Sequence, residues 1–155
     1  MYVAVLAHIL FALVLGCIGS LWFSRGISKW KEKTRFDKPL GLVSVLGSFG
    51  VLIVGLSELR AVTGNQLGDE VALLMLISVL LWLASTALGA VLCRYLNQSF
   101  LDLIEISLSV VCAFFFSLWI IFKYRIFDAS DVLVSVGCVL WLCMITLKRY
   151  LASKL

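Results

Sequence analysis

Of 155 residues, 63% are hydrophobic and 14% charged; the net charge is +4 and the mean hydropathy +1.10. Soluble domains carry about a quarter charged residues, and a chain this small has too much surface for its volume to hide so much apolar side chain from water. Composition therefore excludes a soluble globular domain and makes lipid the main solvent, with residues 1–155 forming a single transmembrane helical domain.

A helix needs about 20 apolar residues to cross the hydrocarbon layer. Five runs approach or meet that length, at 2–23, 40–59, 71–93, 103–122 and 132–147. The first has no positive region before it, and its charges begin at Arg25, which is the reverse of a cleavable signal peptide. Pro39 suits a first helical turn, where its missing N–H costs nothing. Asp69 and Asp131 are placed to cap the third and fifth helices, and Ser99 with Asp102 follows a capping-box spacing. The fifth run is short, so a four-span chain with a re-entrant or interfacial last segment is the alternative.

Loop charge favours five spans. With five, ten of the thirteen basic residues share one side, leaving Arg60, Lys123 and Arg125 on the other; with four, the division is seven against six. Lysine and arginine stay in the cytoplasm. The expectation is thus an all-α polytopic bundle with its N-terminus outside and its C-terminus cytoplasmic. Compact loops and the uncleaved first helix point to a bacterial inner membrane.

The stretch "SRGISKWKEKTRFDKP" carries Arg25, Lys29, Lys31, Lys33, Arg35 and Lys38. Beside an anionic inner leaflet these residues set topology and contact lipid, and they also offer a docking site for an acidic partner. One short basic loop with no second basic element does not make a nucleic-acid surface.

Within the spans, small residues mark where helices approach closely. Gly16 and Ser20 do so on the first helix, Ser44 and Ser48 on the second, and Ser85 and Gly89 on the third, each pair at a four-residue spacing. Ionisable groups in a membrane are rare and are functional candidates. His8 reads as a side chain hydrogen-bonded to a serine or a carbonyl, with a proton-responsive role or axial ligation of a haem shared between chains as sharper readings. Asp102 and Glu105, at i and i+3, share a face at the start of the fourth helix, within reach of Arg94. Glu58 and Arg60 read as an interfacial pair. The five cysteines, at 17, 93, 112, 138 and 143, form no Cys-x-x-Cys spacing and read as small packing residues.

No phosphate-binding loop, zinc-protease motif or nucleophile elbow occurs, and the loops are too short for a catalytic domain. No enzyme, cofactor or metal site is expected. The reading is a small non-catalytic membrane subunit that self-associates or anchors and regulates a partner protein. The alternative is an oligomeric channel or transporter subunit with a path lined by Ser44, Ser48, Ser85, Thr86 and Glu105.

Overall fold

The computed structural model describes residues 2–27, 37–63, 68–124, 143, 146–147 and 150–151. Among the described residues the chain is all-helical, with four long helices: α1 (Tyr2–Ile27), α2 (Asp37–Thr63), α3 (Asp69–Tyr95) and α4 (Gln98–Tyr124). Three stretches, His8–Ile27, Asp37–Ala61 and Asp69–Tyr95, are long and apolar enough to cross a bilayer. They mark the chain as an integral membrane protein. The fifth run, 132–147, lies outside the described residues except for Cys143, Thr146 and Leu147, which are helical.

Each helix outruns the apolar run that announced it. Helical hydrogen bonding does not stop where hydrocarbon does, so α1 continues past Phe23 to Ile27 and α4 begins at Gln98. Charges at the ends suit the helix dipole: Asp37, Asp69 and Glu70 lie in first turns, and Arg25 and Arg94 in last turns. Asp69 is the first residue of α3 and not its cap. That place belongs to Gly68, whose carbonyl accepts from the Val71 and Ala72 amides. Ser99 likewise falls inside α4, and the Asp102 carboxylate turns to a neighbouring helix instead of closing a capping box.

The helices pack around α1. Its contacts with α2 run antiparallel, from Gly26 against Lys38, through Gly19 against Gly41 and Ser44, to His8 against Gly55. Those with α3 run parallel: Leu13 meets Ser85, and Cys17 and Leu21 meet Gly89. Against α4 the direction reverses again, because Leu96 and Asn97 alone link α3 to α4. Phe11, Ile18, Leu21 and Trp22 of α1 form one core with Leu101, Cys112 and Ala113 of α4. Ala12 joins Leu52 and Leu56 of α2 in another. A helix apolar all round belongs in the middle of a bundle, and α1 is that helix.

The small residues make this possible. A methyl group on Gly41 would strike the Phe23 backbone, and one on Gly89 would strike the Cys17 carbonyl. Ser85 donates to the Leu13 carbonyl at 2.6 Å, and Gly16 sits against Trp82, Thr86 and Ser48. Trp82 donates its indole N–H to Ser48 at 3.0 Å, so a tryptophan in the spanning stretch keeps its polar handle satisfied. Ser44 meets Gly19, and Ser20 is half-buried on α1.

Candidate functional site

Two polar groupings stand inside this apolar bundle, near opposite ends of α1. His8 and Arg25 are separated by about 25 Å at about 1.5 Å of rise per residue, nearly the thickness of the hydrocarbon layer.

The first grouping joins α1 to α4. Trp22 and Arg25 lie one turn apart on the last part of α1, and Asp102 and Glu105 lie one turn apart on the first part of α4. Antiparallel packing brings the two pairs face to face. Arg25 reaches Glu105 at 3.0 Å and Asp102 at 3.4 Å, and the Trp22 indole N–H donates to the other Glu105 oxygen at 2.8 Å. Arg25 and Glu105 are 1% and 2% exposed. The helix ends assist: a cation at a C-terminus and carboxylates near an N-terminus are each favoured by the local dipole. Asp37, the first residue of α2, is also wholly buried, and Gly26 packs against its neighbour Lys38. Cys93 on α3 lies within electrostatic reach of both Arg25 and Asp37. All four helices thus bring a polar or charged residue to this end.

This arrangement corrects two expectations. Arg25 is not a lipid-facing or docking residue of the basic stretch; α1 continues through it and its last turn faces inward. Nor does Arg94 hold Asp102 and Glu105: it is exposed on α3, and Arg25 occupies that role. Glu105 faces α1, in contact with an indole and a guanidinium, and not an open path. Lys38 is exposed, as a headgroup contact requires, and Lys29, Lys31, Lys33 and Arg35 lie outside the described residues.

The second grouping joins α1 to α2. The His8 imidazole is wholly buried, seated on Gly55, where a Cβ would stand 2.8 Å from the His8 Cβ. Its Nδ1 lies 3.5 Å from a carboxylate oxygen of Glu58, whose side chain is 34% exposed. Glu58, expected beside Arg60, stands next to His8, and Arg60 is exposed.

Further along the inner face of α4, Ser109 accepts a 2.7 Å hydrogen bond from Thr146. Beside them is a cleft of about 250 Å³ lined by Ile106, Val110, Cys143 and Leu147. Among the described residues no three metal-ligating side chains converge. Comparison with protein-family models, with curated proteins and with solved structures gives no match to this chain.

Proposed function

We propose that the chain is a small non-catalytic membrane subunit that assembles with a second copy of itself, or with a partner helix, through the outward face of α2. The observation that carries this reading is the use made of glycine. Glycine in a helix costs about 0.5–1 kcal/mol relative to alanine, and in membranes that cost is offset where a neighbouring backbone comes close. Gly16, Gly19, Gly26, Gly41, Gly55 and Gly89 each have another helix against them. Gly47 and Gly50 have nothing within 4 Å, and they lie one turn apart among exposed Val43, Leu46 and Ile53. That face is built for close approach, yet none of the four described helices makes it.

The orientation that accords with the basic loop has the N-terminus outside, residues 28–36 cytoplasmic and a fifth span at 132–147, in a bacterial inner membrane. The burial of Arg25 leaves this assignment intact, because its position at the end of α1 keeps it on the same side.

The test is the mass of the protein in nanodiscs or mild detergent, for the wild type and for Gly47→Leu/Gly50→Leu. The expected result is a defined assembly for the wild type. The double variant should be monomeric with undiminished thermal stability, since its new side chains enter open space. An assembly that survives the double substitution would eliminate the α2 face, and a wild type that is monomeric with no co-purifying chain would overturn the proposal.

A further inference from the structure

We infer that the seam between α2 and α3, at the end of the bundle that carries Arg25, binds one anionic phospholipid, with Lys38 and Arg94 holding its phosphate and an acyl chain lying against α1. The line of α1 that faces this seam is fixed by Gly16, which meets Ser48 of α2 and both Trp82 and Thr86 of α3. Ser20 and Ile27 continue that line at i+4 and i+11. Burial falls away along it. Gly16 is buried beside the Trp82–Ser48 hydrogen bond, Ser20 is half-buried and Ile27 is 58% exposed. The seam is therefore closed at mid-bundle, where the Phe49 and Trp82 rings also meet at 5.3 Å, and open toward the end of α1.

Two basic residues stand at the open end, one on each wall. Lys38 lies eleven residues before Phe49, three turns away and about 20° round α2, so it shares the flank that meets α3. Arg94 continues in four-residue steps, through Ala90, the row of α3 that begins at Thr86. The two walls lie together here, since Cys93 is within electrostatic reach of both Asp37 and Arg94. Lys38 and Arg94 are exposed, and among the described residues neither forms an ion pair. Asp37, Asp102 and Glu105, the described acids of this end, are all buried. The described charge presented outward is thus wholly positive. Basic pockets between spanning helices take the headgroups of anionic lipids. A free phosphate would satisfy the two cations, but only a lipid also uses a seam that leads from them along the spanning helices. The site is separate from the proposed assembly face, because Gly47 stands about 180° and Gly50 about 120° round α2 from Lys38.

The experiment measures, by native mass spectrometry of the full-length protein in mild detergent, the binding of phosphatidylglycerol and of phosphatidylcholine with the same acyl chains. The wild type is compared with Lys38→Gln/Arg94→Gln and with Arg60→Gln/Lys123→Gln, which removes equal charge at the other end of the bundle. Two basic residues at a phosphate should give the wild type a preference for phosphatidylglycerol on the order of tenfold. Lys38→Gln/Arg94→Gln should lose most of that preference, and Arg60→Gln/Lys123→Gln should keep it. Ser20→Leu fills the seam and leaves both cations, so it should weaken binding of the lipid, and inorganic phosphate in excess should not displace the lipid from the wild type. No preference in the wild type, or equal preference in the two double variants, would overturn the proposal. Displacement by inorganic phosphate, or undiminished binding to a folded Ser20→Leu protein, would reduce the site to a phosphate contact without a lipid chain and overturn it as well. Lys38 and Arg94 are exposed, so their glutamine variants leave the packed interior untouched and decide the matter should Ser20→Leu fail to fold.

Discussion

Replacing Arg25 by methionine should be among the most damaging single changes in the bundle, and the reason is the pair it strands. At 3.0 Å and an effective dielectric near 20, the attraction between Arg25 and Glu105 is about 5–6 kcal/mol. Removing each ion from water costs several kcal/mol, so the intact pair contributes little net stability. Arg25→Met keeps the apolar stem and removes the guanidinium. Glu105, 2% exposed, then bears its desolvation cost without the guanidinium, with the Trp22 N–H still donating to it and a second carboxylate on Asp102 nearby. The expected loss is about 3–5 kcal/mol, a large share of a typical total of about 5–15 kcal/mol. The double variant Arg25→Met/Glu105→Met removes the stranded charge, and the double-mutant cycle should show a coupling of about 2 kcal/mol or more. Reversible unfolding in mixed detergent micelles, followed by tryptophan fluorescence, measures the four proteins of the cycle: wild type, Arg25→Met, Glu105→Met and the double variant. A loss under about 1 kcal/mol for Arg25→Met, or a cycle without coupling, would refute the claim that this pair is desolvated in the folded protein.

Two further predictions concern packing and orientation. Gly89→Leu should abolish folding or cost more than about 3 kcal/mol in the same unfolding assay, because its side chain meets the Cys17 carbonyl and the Leu21 amide and neither helix can give way without moving the core. In a cysteine-free background, Asn65→Cys should react with a membrane-impermeant maleimide in intact cells and Lys31→Cys only after lysis; the opposite pattern would reverse the assigned orientation.

The first three spans were legible because hydrocarbon imposes a length that composition reveals directly. Pairing of the polar groups was less so. Arg25 follows an apolar run and precedes a cluster of lysines, so it reads as the start of a loop. Nothing local tells that α1 has one more inward-facing turn. A signal did exist in the spacing: Trp22 and Arg25 repeat at i and i+3, as do Asp102 and Glu105, and antiparallel helices would align them. His8 and Glu58 carried no such signal. Helix α1 is apolar on every side, so its sequence does not show which face meets α2, and the facing residue is set by the Gly19–Gly41 crossing. Gly16, Ser44, Ser48, Ser85 and Gly89 each meet a neighbouring helix, but spacing alone did not separate Gly41, which is packed, from Gly47, which no described residue approaches.

The distribution of burial among the helices bears on what the protein is for. Helix α1 is enclosed by the other three, while α3 touches it along one flank and exposes Leu73, Leu76, Leu80 and Leu83 elsewhere. If the chain worked alone as a channel or carrier, its polar side chains should line a space between helices. Among the described residues, several polar side chains are instead engaged in contacts between helices: Glu105 and Asp102 with Arg25, Glu58 with His8 and Ser85 with the Leu13 carbonyl across α1, and Ser48 with Trp82 between α2 and α3, while Ser109 and Thr146 border the one cleft described above. Such contacts contribute little net stability in a membrane compared with their cost when misaligned, so their chief effect is to fix which residues of α1 meet which of its neighbours. A fixed α1 in turn fixes the angular position of α2, and with it the direction in which Gly47 and Gly50 point. On this argument the charged pairs and the open glycine face belong to one design. If α2 is the assembly face proposed above, the pairs that hold the central helix in a single register also hold that face at a constant angle.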